Sequence, residues 1–142
     1  MYNRRMPLQW IEHKGEKILF IDASNLMNDH VALDATLEAL IALLKKEPKN
    51  SVLALADLRN TYLSNNALMT LMRNAPYAAP YFYKSALVIE PNYARGIVLD
   101  SFSMVIKRLP KRFRDLDTAK AWLVGDGHPQ PVDVYAEVET SR

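Results

Sequence analysis

Hydrophobic and polar positions change period several times along the chain, and each change marks an element. Leu8 to Glu12 and Lys17 to Asp22 are apolar-rich runs on either side of His13-Lys-Gly-Glu16, whose glycine suits the positive φ of a tight reversal. A β-hairpin is predicted. Ile18-Leu-Phe-Ile21 is apolar without alternation, so the second strand is expected to be covered on both faces and the first to lie toward an edge. Leu33, Leu37, Leu40, Ile41 and Leu44 then recur at spacings of three and four, which predicts a helix from about Asp29 to Lys46. Asp29 is its expected N-cap, and Lys45-Lys46 sit where the helix dipole favours cations. Pro48-Lys-Asn50 ends that helix. Ser51-Val-Leu-Ala-Leu-Ala-Asp57 is a run of small and apolar residues closed by an aspartate, as expected of a strand at the centre of an α/β sheet. The helix between them makes it parallel to Lys17 to Asp22.

Downstream, Leu68, Leu71, Met72 and Ala75 predict a second helix from Ser64 to about Asn74, with Ser64 as N-cap and Pro76 closing it. Pro76-Tyr-Ala-Ala-Pro-Tyr-Phe-Tyr83 reads as an aromatic connection, and Ser85 to Ile89 as the next buried strand, paired with Ser51 to Asp57. Pro91-Asn92 opens an expected third helix through about Arg108, with Ile97, Val98, Phe102, Val105 and Ile106 inward. Lys111 to Arg114 around Phe113 is expected to form an edge strand, and Asp117 to cap a short helix, Thr118 to Val124. These elements describe one α/β domain over residues 1–124. Residues 125–142 are expected to be a flexible tail, where Val132, Val134, Ala136 and Val138 alternate with polar residues as in a marginal extra edge strand.

Composition narrows the function classes. The 142 residues suffice for one real core. A formal charge of +2, with acids and bases interspersed, does not create the field of a dedicated nucleic-acid binder. The absence of cysteine removes disulfides, thiolate metal sites and cysteine nucleophiles, and suits a cytoplasmic location. Arg4-Arg5 is followed by no continuous apolar segment of an export signal, and Leu33 to Leu44, interrupted by Asp34 and Glu38, is too short to cross a bilayer. Stable membrane insertion is not expected.

The hairpin Trp10 to Asp22, the block Val52-Leu-Ala-Leu-Ala-Asp-Leu-Arg-Asn-Thr61, the strand Ala86-Leu-Val-Ile89, Phe113 and the closing Asp117-Thr-Ala-Lys-Ala-Trp-Leu123 share order and spacing with a known group. Over roughly residues 8–124 the chain resembles the STAS / SpoIIAA-like superfamily, particularly its bacterial STAS/SEC14-type branch. The resemblance implies a mixed central sheet of four to five strands with helices packed mainly on one side. It also implies a regulatory rather than catalytic habit. In the anti-sigma-factor antagonists of that group, a serine after the central strand is phosphorylated by a partner kinase. The corresponding region here is Asp57 to Ser64, although the group's Asp-Ser pair followed by glycine is replaced by Tyr62-Leu63-Ser64-Asn65.

Candidate chemistry concentrates in two loops. Asp57, Arg59, Asn60, Thr61 and Ser64 form a partner-binding or phosphorylation loop, where a phosphate on Ser64 would face the unpaired N–H groups of a helix start. Serine is equally a favoured plain N-cap. Asp22, Ser24 and Asn25 form the second loop, and Asp22 and Asp57 should share the carboxyl edge where α/β sheets bind ligands. Two carboxylates there can hold Mg²⁺ for phosphotransfer, yet Leu26 stands where a metal-binding Asp-x-Ser-x-Ser motif needs an oxygen, and turn capping is the simpler role. His13, His30 and His128 have no ligand spacing, and no Gly-x-Ser-x-Gly elbow anchors a hydrolase. Neither catalytic residues, metal nor cofactor is expected.

Lys107, Arg108, Lys111, Arg112 and Arg114 form the densest basic cluster, which suits a solvated helix end and a protected edge strand. Tyr77, Tyr81, Phe82 and Tyr83 are interface candidates, for self-association or for covering one end of the core. Together these features lead us to expect a non-enzymatic regulatory or protein-interaction module, with another protein or a second copy as partner. The alternatives are a small apolar-ligand carrier, with a pocket among Leu68, Met72, Ile97 and Val105, and a Mg²⁺-dependent phosphotransfer enzyme.

Overall fold

The computed structural model describes residues 6–62, 64–90 and 110–125. Strands β1 (Leu8–His13) and β2 (Glu16–Asp22) form the hairpin, and β3 (Val52–Asp57), β4 (Phe82–Val88) and β5 (Lys111–Phe113) follow. Helices α1 (His30–Leu44), α2 (Asn65–Ala78) and α3 (Leu116–Val124) are the described helices, and a 3₁₀ turn (Ala79–Tyr81) leads from α2 into β4. The five strands lie in sequence order in one mixed sheet. β1 is antiparallel to β2, and β2, β3, β4 and β5 are mutually parallel.

The hairpin turn uses two left-handed residues, Lys14 (φ 52°) and Gly15 (φ 82°), which match the twist of the flanking strands. β3 is central, with β2 on one side and β4 on the other. Its alternation of leucine and alanine assigns unlike side chains to the two faces. Leu53 and Leu55 join Ile18, Phe20, Ala86, Val88 and Phe113 in a core covered by Ala119, Trp122 and Leu123 of α3. Ala54 and Ala56 turn to the opposite face, with Leu19, Ile21 and Leu87, beneath α1 and α2. Of the described helices, the two long ones therefore pack on one face and the short one after β5 on the other. Leu33, Leu40 and Leu44 of α1 are almost wholly buried, each contributing about 1.5–3 kcal/mol.

Asp29 caps α1 as expected, accepting from the Ala32 N–H, and Ser64 caps α2, accepting from the Ala67 N–H. Three boundaries differ from the sequence expectation. α2 runs past Pro76 to Ala78 and passes into the 3₁₀ turn. Its inward residues are Ala67, Thr70, Leu71 and Ala78, while Leu68, Met72 and Ala75 are only partly buried. β4 begins at Phe82 instead of Ser85, because a bulge opposite Val52 and Leu53 admits the extra residue Tyr83. α3 is capped by Asp115, whose carboxylate accepts from the N–H and hydroxyl of Thr118, so Asp117 lies in its first turn. The expected third helix and the tail beyond Gly125 fall outside the described residues, as do Lys107 and Arg108 of the basic cluster. Arg112 of that cluster is buried, not solvated. No helix among the described residues is long and apolar enough to cross a membrane.

Candidate functional site

The carboxyl edge of the sheet is where the two candidate loops meet. Asp22 and Asp57 are direct register partners at the ends of β2 and β3. Their carboxylates nevertheless serve separate local structures. Asp22 Oδ1 accepts from the N–H of Ser24 at 3.1 Å and from its hydroxyl at 2.6 Å, an Asx-type turn. Asp57, nearly buried, accepts from the Arg59 backbone N–H and from its guanidinium through both oxygens. The guanidinium is held protonated above its ordinary range, chiefly by this hydrogen bond to Asp57, against some desolvation. Among the described residues no three His, Asp or Glu side chains gather as a metal-ion ligand set.

Between them the loops are stitched by their backbones. Ala23 N–H donates to Asp57 O at 3.0 Å, Asn25 N–H to Arg59 O at 2.8 Å, and Met27 N–H to Asn60 O at 3.0 Å. The Tyr62 N–H returns a bond to Met27 O, so Met27 and Thr61 form an isolated parallel bridge beyond the sheet proper. Thr61 is buried at the junction, where its hydroxyl donates to Ala23 O and accepts from Leu26 N–H. Asn60 Nδ2 reaches Asn25 Oδ1 at 2.8 Å, and the Asn60 N–H reaches the Glu90 carboxylate beyond β4 at 3.2 Å. Three residues of this surface, Asn25, Met27 and Asn60, hold φ between 54° and 60°. Asparagine tolerates that region, but for methionine it is uncommon and costs free energy.

What this arrangement exposes is apolar. Met27 is 62% and Tyr62 51% accessible, on adjoining hydrogen-bonded backbone. With Asn28, Asn60 and Glu90 they line a shallow cavity of about 400 Å³. The sequence expectation places Asp57, Arg59, Asn60, Asp22, Ser24 and Asn25 at this edge, and the structure brings them together. Thr61 faces inward and is a strut between loops. Ser64 is half-buried, with its hydroxyl oxygen occupied as the α2 cap. Met27, Tyr62 and Glu90 were not legible as site residues, since only pairings across thirty or more positions bring them together.

The aromatic set divides. Tyr77 on α2 and Tyr83 at the β4 bulge are exposed, whereas Tyr81 and Phe82 are partly buried against Leu44, Val52 and Ala78.

A second cavity of about 620 Å³ lies under α1 and α2, over Ala54 and Ala56, and reaches the edge of β4 near Tyr83, Lys84 and Ser85. Leu68 and Met72, expected to line an apolar pocket, are not among its described walls, to which α2 contributes Leu71, Asn74, Ala75 and Ala78; Ile97 and Val105 fall outside the described residues. It opens because β3 presents alanines where its other face presents leucines. No family model, curated protein or solved structure matches the chain.

Proposed function

We propose that this chain is a non-catalytic regulatory module that binds a partner protein through the carboxyl-edge surface around Met27 and Tyr62. One observation carries the proposal: two large side chains, Met27 and Tyr62, are more than half accessible on a backbone fixed by their pairing. Flexible loops lose conformational freedom on binding, whereas a surface already fixed in place loses little. Methionine and aromatic residues on a rigid base, with a polar rim of Asn28, Asn60 and Glu90, match the composition of protein interfaces. The strained φ of Met27 fits the same use, because backbone strain concentrates at functional surfaces. Against a catalytic role stands the engagement of both strand-end carboxylates, Asp22 with Ser24 and Asp57 with Arg59.

The test is comparative capture from host cells with the full chain and with a Met27→Lys, Tyr62→Ser double variant. A protein retained by the wild type and lost by the variant, at equal thermal stability, supports the proposal. Identical retention by both refutes it.

A further inference from the structure

Among the described strands, β1 and β5 are the edges of the sheet, and they are unlike. β5 is only Lys111–Phe113 and carries two basic residues, features that keep an edge from accepting another strand. β1 lacks these protections. Its six residues, Leu8–His13, include no proline, lysine or arginine, and they pair with β2 in unbroken register without a bulge.

The hydrogen-bond pattern shows which groups of β1 are open. The Asp22 N–H donates to Pro7 O at 2.7 Å, so Pro7 and Asp22 are a hydrogen-bonded pair of the antiparallel ladder. Such pairs alternate along a strand. Gln9, Ile11 and His13 therefore turn their backbone groups toward β2, and Leu8, Trp10 and Glu12 turn theirs away from the sheet. No described strand lies beyond them. At the centre of this open row Trp10 is 36% exposed, and Lys17 Nζ of β2 lies 5.1 Å from the centroid of its ring.

We propose that β1 pairs antiparallel with β1 of a second copy of this chain, about a two-fold axis at Trp10, joining two five-stranded sheets into one. Leu8, Trp10 and Glu12 of each copy then exchange N–H···O bonds with Glu12, Trp10 and Leu8 of the other. Glu12, the carboxylate of the strand, faces a leucine and not its own copy. Charge at the two ends favours the same direction. Arg4 and Arg5 precede β1 in the sequence, whereas Glu12 and Glu16 balance Lys14 and Lys17 at its other end. Antiparallel pairing sets the two basic ends at opposite ends of a six-residue joint, farther apart than the Debye length of about 8 Å, and parallel pairing would set them side by side. An isologous joint of this kind uses both open edges at once, so assembly stops at the dimer. The surface is distinct from the Met27 and Tyr62 edge, and either can fail without the other.

The experiment follows amide exchange and sedimentation equilibrium of the full chain from low to millimolar concentration. The mass should double as concentration rises, and exchange at the Leu8, Trp10 and Glu12 amides should slow with it by at least about tenfold. The Gln9, Ile11 and His13 amides, bonded to β2, should stay slow throughout. Trp10→Pro removes an outward N–H without costing a bond to β2, and should abolish the dimer. Trp10→Lys and Trp10→Glu should each be monomeric alone and pair when mixed, because only the register centred on Trp10 sets the two charges opposite one another. The wild-type exchange pattern decides the matter if the proline variant fails to fold. Fast exchange at Leu8, Trp10 and Glu12 with a monomer mass at every concentration overturns the proposal. So does slow exchange there that ignores concentration, which would mean that another part of the chain covers the edge, and so does a dimer that Trp10→Pro or Trp10→Lys leaves intact.

Discussion

Arg59 folds back onto Asp57, two residues earlier, with Nε 3.0 Å from Oδ1 and Nη2 2.9 Å from Oδ2. The carboxylate is nearly buried and the guanidinium about one-third exposed, so the fork seals the end of β3 while remaining in contact with solvent. Such a pair owes its importance less to its own attraction than to the cost of leaving a buried carboxylate alone. Arg59→Met should lower unfolding free energy by about 1–3 kcal/mol, less than for a fully enclosed pair because water can reach the site. Arg59→Lys should recover part of this, since an ammonium cannot reproduce the bidentate contact. Urea unfolding of the three proteins measures it.

Thr61 holds the two edge loops together through one hydroxyl, which donates to Ala23 O and accepts from Leu26 N–H. Thr61→Val keeps the shape and removes both bonds, leaving a carbonyl and an N–H unpaired in the interior. The expected loss is about 1–3 kcal/mol, with faster amide exchange at Leu26, and Thr61→Ser should restore most of the protection. Equal exchange in all three would show that the loops are held by other contacts.

Met27 carries a left-handed backbone with φ 54°. Glycine adopts that conformation without the steric cost of a Cβ, so Met27→Gly should raise stability by up to about 1 kcal/mol while deleting an exposed contact side chain. Higher stability together with lost partner capture would separate folding from binding at a single position. Thermal melts and capture on the same preparations test both.

Asp115, just past the carboxyl end of β5, provides a pH-dependent element. Its carboxyl is held below the ordinary carboxylate range, first by the Thr118 N–H, next by the Thr118 hydroxyl, and with help from the positive charge of Arg59. Because the folded-state value is the lower one, the unfolded chain takes up the proton more readily. The stabilisation is complete above the unfolded value, near 3.8, and is lost as pH falls through the folded value. Asp115→Asn retains a cap but not the charge, so wild type should exceed it by about 0.3–1 kcal/mol near neutral pH. That gap should close below about pH 4 and stay flat from about pH 6 to 8. Urea midpoints across the range measure it.

Much of the architecture is legible in the sequence because it follows from local periodicity. The α1 spacing from Leu33 to Leu44, the Asp29 and Ser64 caps, the hairpin around Gly15 and the parallel β2, β3 and β4 all follow from patterns a few residues long. What escapes local reading depends on small differences or distant partners. Asp115 and Asp117 are both plausible caps two residues apart, and the geometry of Thr118 selects the first. Proline is a strong helix breaker in isolation, yet Pro76 stands inside α2, which continues only two residues beyond it before passing into the 3₁₀ turn. The alternation in Val52 to Asp57 reads as a buried strand, but the void above its alanines depends on where α1 and α2 settle. Of the edge surface, the aspartates are visible as strand ends. Met27 and Tyr62 are not, because their exposure comes from a backbone bridge between segments more than thirty residues apart.

The most direct test of the carboxyl-edge surface is photo-crosslinking in host cells, with a benzophenone amino acid at Tyr62 and, as control, at the still more exposed Tyr77 on α2. The Tyr62 position should yield a discrete heavier adduct that disappears when Met27→Lys is added, and Tyr77 should not yield that adduct. No adduct at Tyr62, or the same adduct from both positions, would contradict a partner-binding role for this edge.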